Sequence, residues 1–198
     1  MTRRDEQREA TRARLVEAAV ESLVEKGYAA TTTLEVQRRA GVSRGALLHH
    51  FRTREELFGA AIGGLVERNE RAVREALAEV PAGADPVARA LRVLRAALLT
   101  PSFGAELELW AAARTSPPLR AVLRRAEGAA RRDLYRVIGE VVGPAVAASP
   151  AYPLIADLTV QLLRGIAISD VLYRDGADRA ALLDRWADVV RLMMKEDP

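Results

Sequence analysis

The chain has 198 residues, with 30 Lys and Arg against 27 Asp and Glu, two His and no Cys. Its apolar fraction of 49% and mixed charge exclude intrinsic disorder. The absence of cysteine excludes disulfides, thiol catalysis and cysteine-based zinc sites. The polar start and the short apolar runs predict neither a signal peptide nor a membrane span. We therefore expect a cytoplasmic protein of one domain or two small ones.

Arginine dominates the positive charge, since Lys26 and Lys195 are the lysines among the 30 basic residues. The formal net charge is +3 and the isoelectric point is about 9.7. A guanidinium group suits phosphate oxygens, which favours a nucleic-acid partner. A mutational bias toward arginine and alanine explains the same total, so only local clustering of arginine counts as evidence.

Helical periodicity runs through the chain, and no alternation typical of strands reaches a useful length. The first predicted helix covers about residues 8–26. Gly27 ends it, because glycine adopts positive φ angles without a Cβ clash. Beyond residue 58 the helical segments are longer and are separated by proline breaks. The pattern predicts an all-α fold.

Capping signals follow the first helix at short intervals. Thr32 and Glu35 have the spacing of a capping box, which predicts a helix that starts directly after Thr32. Gly41 ends that helix, and Ser43 caps the next one, which covers about residues 44–50. Two short helices joined by a tight turn are typical of the helix-turn-helix motif. An ordinary helical corner is the alternative, but such short helices persist only in a compact unit.

One stretch of the chain carries charge of a single sign. From Val36 to Arg54 there are two histidines and no Asp or Glu. The arginines in this stretch are Arg38, Arg39, Arg44, Arg52 and Arg54. An ordinary solvated face would mix acids with the bases, as the rest of the chain does. The stretch therefore predicts a surface that binds an anionic backbone.

Residues 27–57, GYAATTTLEVQRRAGVSRGALLHHFRTREEL, resemble the DNA-binding domain of TetR-family transcriptional regulators. The matching features are the threonine pair, the AGVS turn, and the short helix that ends in His-His-Phe. The resemblance implies an N-terminal three-helix DNA-binding domain over residues 1–57 and a helical effector-binding and dimerisation domain over residues 58–198.

The resemblance also implies which side chains meet DNA. Arg44 is expected to pair with guanine and Ala46 to touch a thymine methyl, while Gly45 allows close backbone approach. The residues expected to hold phosphates are Thr32, Thr33, Ser43, His49 and Arg54. The chain departs from the family at Gln37 and Leu48, where the family usually has Ala and often Tyr. Gln37 is expected to supply a replacement polar contact or an adenine pair.

The larger domain is expected to bind a small-molecule effector, as the resemblance implies. The candidate lining residues are Phe103, Leu107, Trp110, Tyr135, Gln161 and Arg164. Plain core packing is the alternative for each of them. Arg164 stands in an otherwise apolar helix and needs a partner. That partner is Asp170, a subunit contact or an anionic ligand.

The last two helices predict a subunit interface. Apolar residues surround the axis of the segment from Leu154 to Leu172, so it must be covered on all sides. The following helix, with Asp178 as its predicted cap, carries two adjacent apolar stripes. The predicted interface residues are Leu158, Leu162, Gly165, Leu182, Trp186, Val189 and Met193. Together the helices predict half of a four-helix dimer interface, with a monomeric bundle core as the alternative.

Enzyme motifs are missing from the sequence. There is no nucleophile elbow, phosphate-binding loop or dinucleotide fingerprint, and His49 and His50 are neighbours that do not face each other. We expect no enzymatic activity, cofactor or metal. The sequence predicts a homodimeric regulator, by default a repressor, that binds a palindromic operator and is released by an effector. The alternative is an all-α small-molecule-binding protein or enzyme with a structural N-terminal domain.

Overall fold

The computed structural model describes residues 2–81, 85–98, 100–172 and 176–195. These residues form helices and no strand, which confirms the all-α prediction. The helices are α1 (Arg3–Ala30), α2 (Thr33–Ala40), α3 (Arg44–His50), α4 (Arg54–Glu79), α5 (Pro86–Leu98), α6 (Pro101–Ala113), α7 (Pro117–Val142), α8 (Pro144–Ala147), α9 (Tyr152–Ser169) and α10 (Gly176–Lys195). In this part of the chain, no helix combines the length and apolarity that crossing a bilayer requires.

Helix α1 begins earlier than the sequence predicts. Thr2 and Asp5 form a reciprocal capping box, in which the Asp5 N–H donates to Thr2 Oγ1 at 3.3 Å and the Thr2 N–H donates to Asp5 Oδ2 at 3.0 Å. The predicted start at Arg8 is therefore wrong. The predicted break at Gly27 is confirmed, since this residue has φ 74° and ψ 175°, and one further turn follows it.

The caps of α2 and α3 follow the sequence prediction. The Glu35 N–H donates to Thr32 Oγ1 at 3.1 Å, and the Ala46 N–H donates to Ser43 Oγ at 3.1 Å. Gly41 ends α2 in the left-handed conformation, with φ 64° and ψ 37°. These contacts join two short helices through a turn of three residues, Gly41 to Ser43, and confirm the helix-turn-helix arrangement.

Two compact units make up the structure. The first consists of the described residues of Met1–Arg68 and Pro101–Ala130, and the second of those in Asn69–Thr100 and Arg131–Pro198. Helices α4 and α7 each contribute one part to each unit. The functional division after residue 57 stays a prediction.

The first unit has a continuous apolar core under the helix-turn-helix. Leu15, Val36, Leu47 and Phe58 are almost fully buried there, together with Leu109 of α6. Helix α6 packs along α1. At Gly59 of α4, an added Cβ would lie 2.1 Å from a methyl group of Val122, so α4 and α7 approach closely within this unit. The core therefore gives α2 and α3 a firm support.

The second unit consists of α5, α8, α9, α10 and the ends of α4 and α7. Asp85 caps α5, since its Oδ1 accepts from the Val87 N–H at 2.9 Å. Trp186 Nε1 of α10 donates to Thr159 Oγ1 of α9 at 2.8 Å. The predicted capping residue of α10, Asp178, has a side chain outside the described residues.

Candidate nucleic-acid interface

Helix α3 buries one face and exposes the other. Leu47 packs into the core of the first unit and is 3% exposed. Arg44, Gly45 and Leu48 lie on the exposed side, and Leu48 is 47% exposed. Of the residues that the sequence assigns to base reading, Arg44 and Gly45 are therefore accessible at the start of α3, whereas Ala46 is half-buried.

The hydroxyl-bearing residues lie at the starts of α2 and α3. Thr32, Thr33 and Ser43 are all exposed. Thr32 and Ser43 use their oxygens to cap their own helices, as described above. Their accessible position beside the first amide groups of α2 and α3 is compatible with contacts to an anionic backbone.

Three arginines of the acid-free stretch give this surface its positive charge. Arg38, Arg44 and Arg52 are exposed. Within the described part of the chain, none of these three guanidinium groups forms an ion pair. Their charge is therefore available to an external anion. Arg38 and Arg52 were not among the DNA contacts that the family pattern implies, although both lie in the acid-free stretch.

Arg39 serves the fold instead. Its guanidinium donates to both carboxylate oxygens of Glu25, at 2.9 and 2.5 Å, and to Glu21 at 3.3 Å. These bonds lower the pKa of the Glu25 carboxyl and raise that of Arg39. Lys26 donates to Glu35 at 2.6 Å and lowers the pKa of that carboxyl in the same way. The two sets of ion pairs fasten α2 to α1.

Arg54 contacts main-chain carbonyls and aromatic rings within the first unit. Its Nε donates to the Thr31 carbonyl at 3.1 Å and one terminal nitrogen donates to the Tyr28 carbonyl at 2.6 Å. The guanidinium carbon lies 4.5 Å from the ring centroid of Tyr28 and 4.7 Å from that of Phe58. The structure therefore gives Arg54 a structural role, because these contacts hold its charged group against the protein.

The two histidines differ in exposure. His49 is exposed, whereas His50 is half-buried with its ring centroid 6.4 Å from that of Phe51. Burial is the main cause that lowers the pKa of His50, and the positive charges of His49, Arg8 and Arg12 lower it further. His49 is thus accessible to a phosphate, while His50 packs beside Phe51. Gln37 is half-buried on α2.

Comparisons with known proteins agree with this geometry. The sequence profile of the family described as bacterial regulatory proteins, tetR family, matches residues 15–61. The chain is 30% identical over 163 residues to the uncharacterized HTH-type transcriptional regulator Rv2912c of Mycobacterium tuberculosis, a match that covers 82% of this chain and 84% of that protein. The chain belongs to the TetR family. It is a helix-turn-helix transcriptional regulator, as the names of its relatives state for them.

Other relatives of this TetR-family regulator cover most of its length. It is 31% identical over 168 residues to the HTH-type transcriptional regulator CymR of Pseudomonas putida, covering 83% of this chain and 81% of CymR. Among solved structures it is similar to a transcriptional regulator from Rhodococcus sp. Rha1, with 28% identity, a TM-score of 0.62, and coverage of 90% and 95% of the two chains. The multidrug binding protein EbrR in complex with ethidium is 27% identical, with a TM-score of 0.63 and coverage of 89% and 97%.

The candidate effector residues of this TetR-family regulator fall into both units. Phe103, Leu107 and Trp110 lie on α6 in the first unit, where Phe103 is buried and the other two are half-buried. In the second unit, Gln161 is exposed on the outer side of α9. The neighbouring turns of α9 expose the same face, and the effector role of Gln161 stays a prediction.

Tyr135 and Arg164, the other candidates in the second unit, are half-buried. The Tyr135 hydroxyl donates to Asp157. The Tyr135 ring also borders an open groove of about 520 Å³ in the second unit, which Pro144, Ala147 and Tyr152 line as well. Arg164 is not among the described residues that line this groove. The structure thus brings no more than one of the sequence candidates to the groove.

The predicted interface residues share one face of α9 and one face of α10, and four of the seven are exposed. On α9, Leu158 is 42% exposed, and an added Cβ at Gly165 would meet open space. On α10, Leu182 and Val189 are each 42% exposed. Leu162, Trp186 and Met193 are half-buried beside them. Further exposed apolar residues on these two helices are Leu154, Ile168 and Leu192.

Proposed function

We propose that this TetR-family regulator is a homodimeric repressor that binds a palindromic operator and releases it when a small molecule binds. The observation that carries the proposal is the accessible start of α3, together with three exposed arginines of the acid-free stretch that form no ion pair with any described residue. A surface that binds DNA needs positive charge that is not already neutralised by ion pairs within the protein. Among the described residues, Arg38, Arg44 and Arg52 supply this charge.

In this proposal α3 enters the major groove. Arg44, Gly45 and Ala46 read base edges, with Gln37 as a further polar contact. The phosphate contacts come from Thr32, Thr33, Ser43 and His49, and the exposed Arg38 and Arg52 join them. Arg54 takes no part, because its guanidinium already binds two main-chain carbonyls. Such a regulator works in the cytoplasm, where bacterial DNA lies.

The test is affinity for a duplex selected by the purified protein. Arg44→Ala is expected to weaken binding by about 1–3 kcal/mol and to relax the preference at one base pair of each half-site. Arg71→Ala is the matched control, because Arg71 is exposed on α4 and has no ion pair among the described residues. Equal sequence preference for the Arg44 variant and the wild type would contradict the assignment of α3.

We propose the exposed apolar face of α9 and α10 as the dimer interface. Large apolar patches on a soluble protein mark association sites, and two helices from each copy form a four-helix arrangement. The twofold symmetry then places two α3 helices in half-sites about 34–36 Å apart or somewhat more. Sedimentation at micromolar concentration is expected to give twice the chain mass of 21.6 kDa. A single species of 21.6 kDa would contradict this interface.

For the effector, we propose that α6 contributes to the binding site. Phe103, Leu107 and Trp110 lie on this helix at the spacing of one helical face. Tyr135 and Arg164 remain sequence predictions for the same role. Ethidium and proflavin are suitable first probes, because EbrR, a similar protein, was crystallised with each of them.

Ethidium fluorescence titration tests the effector site. The wild type is expected to bind the dye and Trp110→Ala to bind it more weakly, whereas Trp110→Phe keeps an aromatic ring on α6 and is the matched control. Bound dye should lower operator affinity by a coupling of roughly 1–3 kcal/mol, with operator lowering dye affinity by the same factor. Equal dye affinity in the Trp110 variant and the wild type would remove α6 from the site.

A further inference from the structure

The turn that joins α1 to α2 sets the direction of the helix-turn-helix. Helix α1 breaks at Gly27, and the carbonyl of Gly27 accepts from the Thr31 N–H at 3.2 Å, which starts a new turn. Thr32, the next residue, is the cap of α2. Residues 27–31 therefore lead directly from the break in α1 to the cap of α2.

A carboxylate from α6 holds this turn. Because Gly27 interrupts the helix, the Tyr28 N–H has no helical carbonyl to bind, as at the start of any helix. Glu108 Oε2 accepts from this N–H at 2.6 Å, across 80 positions of the sequence. The same oxygen would lie 2.7 Å from a Cβ at position 27, so the contact needs glycine there. Glu108 acts as a cap supplied from another helix.

The other side of the turn is fixed within the DNA-binding segment itself. Arg54 binds the carbonyls of Tyr28 and Thr31, and the Thr31 hydroxyl shares a 3.0 Å hydrogen bond with Ser22. These residues all fall within the family match of residues 15–61. Glu108, outside that match, brings α6 into contact with the turn. Helix α6 also carries Leu107 and Trp110, which are part of the proposed effector site.

We propose that Glu108 is a positioning residue for DNA recognition, which couples α6 to the orientation of α2 and α3 through the Tyr28 N–H. Displacement of α6 withdraws the carboxylate, and the turn then loses the cap that keeps the helix-turn-helix in its DNA-binding orientation. This inference rests on the proposed effector site on α6, and its test separates the two.

The first measurement compares operator affinity in three variants. Glu108→Ala removes the acceptor and is expected to weaken operator binding about three- to tenfold. Glu108→Gln keeps an oxygen that accepts the Tyr28 N–H and is expected to stay within about twofold of the wild type. Glu67→Ala makes the same charge change at an exposed position of α4 without a bond to any described residue, and no loss is expected. Equal affinity of the Glu108→Ala variant and the wild type would overturn the proposal.

Hydrogen exchange with and without the operator duplex separates coupling from simple structural support. Because coupling between two sites is reciprocal, operator binding at α3 should slow amide exchange in α6 of the wild type. In the Glu108→Ala variant this slowing is lost, while the slowing in α2 and α3 remains. The same slowing of α6 in both proteins, or none in a wild type that binds its operator, would overturn the proposal.

A separate readout keeps the proposal independent of the regulator function. If no duplex is enriched from a random pool, the proposed operator binding fails. The exchange rate of the Tyr28 amide still decides the role of Glu108. Faster exchange in Glu108→Ala than in Glu67→Ala supports the proposed cap, and equal rates overturn it.

Discussion

Replacing Arg54 by alanine tests whether this side chain serves the fold or the DNA backbone. The change removes two hydrogen bonds from a charged donor to the carbonyls of Tyr28 and Thr31. It also removes the contacts of the guanidinium with the rings of Tyr28 and Phe58. A hydrogen bond to a charged group contributes about 1.5–3 kcal/mol, and a cation–π contact at a partly exposed site about 0.5–1 kcal/mol. Because such terms are not additive, we expect a loss of about 2–4 kcal/mol in the free energy of unfolding.

Thermal unfolding followed by circular dichroism measures this loss. For a chain of this size each kcal/mol lowers Tm by roughly 2–4 °C, so Arg54→Ala should melt about 5–15 °C below the wild type. The salt dependence of DNA binding should not change, because no phosphate contact is lost. Arg52→Ala is the matched control, since Arg52 is exposed and unpaired among the described residues. Its Tm should stay close to wild type, while the slope of log K against log salt falls by about 0.9.

The reverse result for the Arg54→Ala variant would contradict a structural role of Arg54. If Arg54→Ala kept the wild-type Tm and lowered the salt slope by about 0.9, Arg54 would be a phosphate contact, as the family pattern implies. The structural role derived from its carbonyl partners would then be wrong.

Three further predictions follow from the same structure. Leu158→Asp puts a charge into the proposed dimer interface, so sedimentation should show the 21.6 kDa chain, and an unchanged dimer would count against the interface. Ser43→Ala loses the cap of α3 and about 1 kcal/mol of stability, whereas Ser43→Asp keeps the cap but repels phosphate. Calorimetry and DNA titration should therefore separate the two Ser43 variants, and equal affinities would remove Ser43 from the interface. The pKa of His50 is lower in the folded state than its ordinary value of 6.5. Its contribution to stability is therefore fully present above pH 6.5 and is lost as the pH falls through the pKa of the folded state. The fall in Tm from about pH 7.5 to about pH 5.5 should be smaller in His50→Gln, and an equal fall would contradict this contribution.

Capping made the helix-turn-helix predictable from the sequence. Thr32, Gly41 and Ser43 each act on amides or carbonyls within about four positions, so their effect can be derived without knowing the fold. The start of α1 is also set by a local cap, which the sequence prediction missed. Thr2 and Asp5 have capping spacing, and a start at Thr2 was open to prediction from those two residues.

Contacts between residues that lie far apart in the sequence could not be predicted from the sequence. Arg39 binds acids that lie 14 and 18 positions earlier on α1, and Arg54 binds carbonyls 23 and 26 positions earlier. Every residue carries a main-chain carbonyl, so nothing in the sequence marks those of Tyr28 and Thr31 as acceptors. The sequence therefore shows where the arginines cluster. Only the structure shows which of them bind other groups of the protein and which are exposed.

The predictions for α9 conflicted with each other in a way that helical geometry explains. Gln161 lies three positions after Leu158 and four before Gly165, so all three share one helical face. The sequence assigned Gln161 to an interior pocket and the other two to the dimer interface. The exposed position of all three favours the interface for that face.

Selection of duplexes from random DNA by the wild-type protein tests the central claim most directly. If two copies of α3 read DNA in a symmetric dimer, the enriched sequences will contain an inverted repeat whose halves are about one helical turn or somewhat more apart. Enrichment of no motif, with affinity that depends on salt but not on base sequence, would contradict the account.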